Sequence, residues 1–71
     1  MNIRGKWVWN ALPSNRESAM DVDRLSIKSG AGKTVVRKYL EKWVLDGLVT
    51  CASDGGRGRY FKTEDGNKYI W

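Results

Sequence analysis

Eight basic side chains lie between positions 28 and 62: Lys28, Lys33, Arg37, Lys38, Lys42, Arg57, Arg59 and Lys62. Only three acids, Glu41, Asp46 and Asp54, share that stretch, so it carries the entire +5 net charge of the 71-residue chain. The other five bases and five acids cancel. Such a block suits neutralisation of a polyanion, because each phosphate met by a cation releases condensed counterions. An excess serving solubility alone need not be localised, and the expected ligand is therefore nucleic acid.

Other chemistries fit less well. Histidine is absent, which removes the commonest general base and the commonest nitrogen ligand for zinc. Asp21 with Asp23, and Glu64 with Asp65, are too close in sequence to oppose one another across a cleft, and read as helix-start and turn residues. Ser29-Gly30-Ala31-Gly32-Lys33-Thr34 matches the second half of the phosphate-binding pattern G-x-x-x-x-G-K-[ST], but Ile27 stands where the first glycine belongs. The residues before it read as helix and not as the buried strand such a loop must follow. The expectation is a non-enzymatic chain with no metal and no cofactor.

Seventy-one residues make a single domain spanning 1–71, and a domain of this size buries only about 60% of the surface its unfolded chain exposes. Trp7, Trp9, Trp43 and Trp71 can supply much of the core area. Cys51 is the lone cysteine, so no intramolecular disulfide can form and a cytoplasmic location is expected. Met1-Asn2-Ile3-Arg4-Gly5 opens no apolar signal core, and no run approaches the ~20 apolar residues of a membrane span.

The elements that must position these cations follow from spacing. Apolar residues at 3, 7, 8, 11 and 12 predict a first helix over Ile3–Leu12, stopped by Pro13, with Trp9 off its main apolar face. Ser14–Ser18 reads as loop, and Ala19-Met20 as a short strand pairing with a later hairpin. Asp21 is suited to cap a helix from Val22 to Lys28, with Met20 and Leu25 at hydrophobic-staple spacing. Ser29-Gly30-Ala31-Gly32 then makes a turn.

From Lys33 to Asp46 the period is helical. Val36, Leu40, Trp43 and Val44 form the apolar stripe, Tyr39 its edge, and Thr34, Arg37, Lys38 and Glu41 the opposite side. Gly47 can end this helix in a left-handed conformation. Val49–Ser53 and Arg59–Thr63 read as strands joined through Asp54-Gly55-Gly56-Arg57-Gly58, with the inward choice between Tyr60 and Phe61 left open by the glycines. Asp65-Gly66-Asn67 reads as a turn, and Lys68-Tyr69-Ile70-Trp71 as a short amphipathic end, strand or flap.

Taken in order, VDRLSIKSGAGKTVVRKYLEKWVLDGLV followed by GGRGRYFKTEDG resembles the winged helix-turn-helix family of DNA-binding domains, above all its small bacterial and phage members. The resemblance covers about Asp21 to Gly66. It rests on Leu25 in the second helix, Gly30 at its end, the Val36-Leu40-Trp43 series, the Gly47-Leu48-Val49 exit, the glycine-rich hairpin and Thr63-Glu64-Asp65-Gly66. The chain departs from the family pattern at Ala31-Gly32 in the turn, and the family's long C-terminal helix, a frequent dimer contact, has no counterpart in it.

The resemblance implies an α+β fold, a three-helix winged helix-turn-helix with a C-terminal β-hairpin wing. It also implies that the recognition helix, 33–46, enters the major groove while the wing, 49–63, lies on the backbone or minor groove of double-stranded DNA. Thr34, Arg37 and Lys38 are the expected base-edge or phosphate contacts, Lys33 reaches phosphate from the first turn, and Arg57 and Arg59 serve the wing. Lys28, Lys42 and Lys62 are either phosphate contacts or plain surface. For Glu41, an ion pair with Arg37 or Lys38 is preferred over acceptance from cytosine N4.

The leading expectation is a transcription regulator of phage, prophage or plasmid type. Alternatives are a recombination or excision accessory factor that bends DNA, and a protein-interaction module or homodimer that uses Trp9 or Tyr69-Ile70-Trp71. RNA binding ranks lower, since no aromatic-rich sheet face is apparent.

Overall fold

The computed structural model describes residues 3–54 and 57–69. In chain order these form helix α1 (Ile3–Ala11), a 3-10 turn (Arg16–Ser18), α2 (Val22–Ser29), α3 (Lys33–Leu45), strands β1 (Val49–Asp54) and β2 (Arg57–Lys62), and a short helix α4 (Glu64–Lys68). Three helices and an antiparallel hairpin are arranged as expected; the 3-10 turn and α4 are additions. Asn15 starts the 3-10 turn where a loop was expected, its side chain accepting from the Ser18 amide at 2.9 Å.

The core is built from Val8, Trp9, Leu12, Leu25, Ala31, Val36, Leu40, Trp43 and Val49, all buried. For α1 this corrects the sequence reading. Trp9, expected off the apolar face, is 5% exposed, whereas Trp7 and Ile3 are 43% and 64% exposed. Gly5, Val8, Trp9 and Leu12 form an alternative stripe at i, i+3, i+4 and i+7, and a tryptophan buries so much area that the one admitted to the core sets the helix's rotation. The Trp9 ring meets Trp43 edge-on at 5.0 Å and Tyr69 at 5.7 Å. Trp9 is thus a core residue and no docking surface.

Asp21 caps α2 as its type predicts, accepting from the Arg24 amide at 2.8 Å. Gly30 closes the helix with φ of 78°, and the turn is then pinned by the Ser26 hydroxyl, which donates to the Ala31 carbonyl at 2.6 Å. Val36, Leu40 and Trp43 of α3 are buried, but Val44 is 41% exposed. At 100° per residue it falls beyond the edge of a stripe centred on the other three.

The exit from α3 is a Schellman motif. Gly47 takes φ of 78° and its amide donates to the Val44 carbonyl at 3.1 Å, while the Leu48 amide donates to Trp43 at 2.9 Å. No atom lies within 4 Å of a β-carbon added at Gly47, so Gly47→Ala meets only the left-handed penalty. It is expected to destabilise by about 1 kcal/mol, read as a lower urea midpoint at unchanged m-value; an unshifted midpoint would contradict the assignment.

The strands pair from Val49 with Lys62 to Asp54 with Arg57 without a bulge, and so extend further than expected toward Gly55 and Gly56, which lie outside the described residues. Alternation then decides the open question: Tyr60 shares a face with Val49 and packs on the core, and Phe61 points to the other side, 5.8 Å below the Arg16 guanidinium. The short strand expected at Ala19-Met20 is a single bridge of two backbone hydrogen bonds between Met20 and Tyr60, at 3.1 and 2.7 Å.

The expected Asp65-Gly66-Asn67 turn is instead the middle of α4. Thr63 caps it, accepting from the Gly66 amide at 3.1 Å and donating to the Gly47 carbonyl at 2.7 Å, so α4 is tied to the end of α3. Tyr69 follows α4 and lies against Trp9; Ile70 and Trp71 fall outside the described residues.

Candidate nucleic-acid interface

Burying Val36, Leu40 and Trp43 leaves α3 with one free side, and there Thr34, Arg37, Lys38, Glu41 and Lys42 are all exposed. The sequence-predicted contacts on this helix are therefore brought together on one surface. Lys33 sits at its start, 3.1 Å from Asp23 of α2. Both side chains of that pair are more than half exposed, so its attraction is screened and a phosphate can compete for the lysine.

Glu41 makes no ion pair with Arg37 or Lys38 among the described residues. Its carboxylate borders a cleft of about 390 Å³ between α3 and the hairpin, lined also by Val44, Leu45, Cys51 and Tyr60. The i,i+4 and i,i+3 pairs preferred from sequence are not formed. Burial raises the Tyr60 hydroxyl above the ordinary tyrosine range, with smaller pushes from Cys51 and Glu41 and an opposing pull from Arg37. Tyr60 stands at the junction of α3 and the hairpin.

On the hairpin, Arg59 is exposed and pairs across the ladder with Ala52. The Arg57 backbone opens β2 opposite Asp54, and its side chain lies outside the described residues. A β-carbon at Gly58 would stand 3.2 Å from the Cys51 sulfur, so a larger residue there requires that side chain to shift.

Two predicted cations stand apart. Lys62 places its ammonium 4.9 Å from the centre of the Trp9 ring, and burial lowers its pKa below the usual lysine value. A cation held over an indole is committed to the base of the hairpin more than to solvent. Lys28 is exposed but lines a cleft between α1 and α2 with Trp7, Asn10 and Ala11, away from the α3 and hairpin cations.

Arg4 belongs to the part of the sequence whose charges cancel. In the fold it lines one cleft with Val35, Lys38, Tyr39 and Lys42 of α3. No local signal marks it, since spacing within α1 does not say which of its polar residues come to lie beside α3.

Among the described residues no three His, Cys, Asp or Glu side chains gather to hold a metal ion, and no helix is long and apolar enough to cross a membrane.

No family model and no curated protein sequence matches the chain. Solved structures do. BpsR of Bordetella bronchiseptica, whose DNA binding is regulated by 6-hydroxynicotinic acid, is 17% identical at a TM-score of 0.78, over 96% of this chain and 49% of its own. The PcaV transcriptional regulator of Streptomyces coelicolor is 20% identical at 0.78, again over 96% of this chain and 49% of its own. Human N-acetylserotonin methyltransferase contains the same arrangement in 21% of its length, 19% identical over 92% of this chain at a TM-score of 0.71. The chain thus spans about half of each regulator and a fifth of the enzyme. A shared arrangement of this kind, found in two bacterial regulators and in one part of a human enzyme, is a likeness of backbone, and the chain has the winged helix-turn-helix fold.

Proposed function

We propose that this chain is a double-stranded DNA-binding domain of a transcription regulator, without catalytic role, that sets α3 in the major groove and the hairpin on the adjoining backbone or minor groove. One observation carries this: the only side of α3 left free by the core bears Arg37, Lys38 and Lys42, exposed and without a carboxylate partner among the described residues. Arg59 adds a fourth exposed cation on the hairpin. Thr34, Arg37 and Lys38 are the base-edge or phosphate contacts, Lys33 a phosphate contact once released from Asp23, and Arg57 and Arg59 the wing contacts. We leave Lys28 and Lys62 out of this footprint, because Lys62 is held over Trp9 and Lys28 lines the α1–α2 cleft. The DNA-binding and regulatory descriptions of BpsR and PcaV support the same reading. The resemblance to small phage and bacterial members favours a regulator of phage, prophage or plasmid type, acting in the cytoplasm.

With about four phosphates neutralised per protomer, log K for a random-sequence duplex is expected to fall with log[salt] at a slope of about −3.6. Fluorescence anisotropy across a salt series measures this directly, and an affinity indifferent to salt would overturn the proposal.

A second reading, a protein-contact surface or homodimer, loses Trp9 to the core. It is favoured by one observation, the exposure of Trp7 beside the α1–α2 cleft. That surface lies apart from the α3 cations, so both readings can hold of one chain.

A further inference from the structure

We propose that Arg4, Lys38 and Lys42 form a phosphate-binding clamp on the α1 flank of α3, gripping the DNA strand opposite to the one the hairpin meets. The inference rests on the reading of this chain as a double-stranded DNA binder and adds a second backbone contact to it.

The two flanks of α3 differ. Val35, Lys38, Tyr39 and Lys42 follow the i, i+3, i+4, i+7 spacing of one helical flank, and all four line a cleft of about 380 Å³ with Arg4. Glu41 and Val44 lie on the other flank and line the cleft that faces Cys51 and Tyr60 of the hairpin. The one carboxylate on the free side of α3 is thus turned to the hairpin, and the α1 flank carries positive charge alone.

The charges of the α1 flank are uncompensated. No acid lines the cleft, and none of Arg4, Lys38 and Lys42 has an ion-pair partner among the described residues. Like charges at i and i+4, as Lys38 and Lys42 are, disfavour an isolated helix, and an arginine brought alongside from another helix adds to the repulsion. Successive phosphates of one strand bound along the three remove it. The floor is firm: Tyr39 stacks on buried Trp43 at 5.3 Å and 28°, and Val35 packs on the core. A guanidinium opposite two ammonium groups suits a phosphodiester, which arginine can engage with two parallel N–H donors.

Groove geometry makes the second contact reachable. A helix with side chains is about 10–12 Å across and the major groove about 12 Å wide, so a helix lying in it has a phosphate backbone along each flank. The hairpin serves one backbone, and the clamp is placed for the other. A fifth phosphate contact, from Arg4, added to the four taken above raises the expected salt slope from about −3.6 to about −4.5.

Duplex affinity is to be measured over a salt series for the wild-type chain, for the double variant Arg4→Gln with Lys42→Gln, and for Lys6→Gln. Lys6 is an exposed cation of α1 that does not line the cleft, and so controls for loss of charge alone. Removing two contacts is expected to reduce the slope by about 1.8 and the affinity at 0.15 M salt by about 30-fold, with Lys6→Gln close to wild type in both. All three residues are exposed, and matching circular dichroism melts verify that the variants fold. A double variant whose slope falls by about 0.9 or less, the share of Lys42 alone, overturns the clamp while leaving the DNA reading in place. A wild-type chain without salt-dependent duplex binding overturns both.

Discussion

Arg37→Ala combined with Lys38→Ala is expected to lower affinity for duplex DNA by about 30-fold at 0.15 M salt from the loss of two phosphate-type contacts. The loss grows if Arg37 reads a guanine edge, since a bidentate base contact is worth about 1–3 kcal/mol. The combined range is about 30-fold to several thousand-fold. Stability should hardly move: both residues are exposed on the free side of α3, make no ion pair among the described residues, and give way to the best helix former. Anisotropy at fixed salt together with a thermal melt separates the two quantities. Unchanged affinity with the fold retained would mean that this face does not meet DNA, and would turn attention to the α1–α2 surface around Trp7.

Gly66→Ala is expected to be strongly destabilising. A β-carbon there would clash with the Leu48 carbonyl oxygen and stand 3.0 Å from its carbon. That carbonyl cannot withdraw freely. It accepts from the Thr63 amide at 3.0 Å, and the Leu48 amide is held by Trp43 in the turn that ends α3. Relief therefore requires breaking the Schellman exit, the Thr63 cap or the docking of α4. A cost of about 3–5 kcal/mol is expected, of the order of the whole stability of a domain this small. Urea unfolding followed by tryptophan fluorescence should find the variant largely unfolded without denaturant, whereas Gly47→Ala, with open space around it, loses only about 1 kcal/mol. A Gly66→Ala protein within 1 kcal/mol of wild type would show that α4 is not packed on Leu48 as described.

Where a residue's role is decided by its immediate neighbours, the sequence was enough. Asp21 as a cap, Gly30 and Gly47 in left-handed turns, the Val36-Leu40-Trp43 stripe and the hairpin all depend on contacts within a few residues. The fold class followed from their order. Elsewhere the deciding contact is distant. Val8 lies between two tryptophans, and either Trp7 or Trp9 completes a helical stripe with it; only the position of Trp43 and Tyr69 selects Trp9. Glu64-Asp65-Gly66-Asn67-Lys68 is too short to show a period, and its glycine argues for a turn, although Thr63 with two acids after it was a readable helix start. Of the candidate site, the α3 cations could be placed from periodicity. Arg4 could not, nor could the seating of Lys62 over Trp9, since both require knowing how α1 crosses the rest of the chain.

The paired hydrogen bonds between Met20 and Tyr60 have a consequence for recognition. They fasten the hairpin to the residue just before the Asp21 cap, while the Thr63 hydroxyl, directly after β2, fastens its base to Gly47 at the end of α3. The hairpin is thus gripped at two points, and its offset from α3 is set when the chain folds, before any ligand arrives. On the proposed DNA-binding reading, such a domain is a caliper of fixed opening. The ordering entropy of its two arms is already spent, so a duplex whose grooves match the opening gains affinity, and one that must be bent or unwound to fit is penalised by its own stiffness.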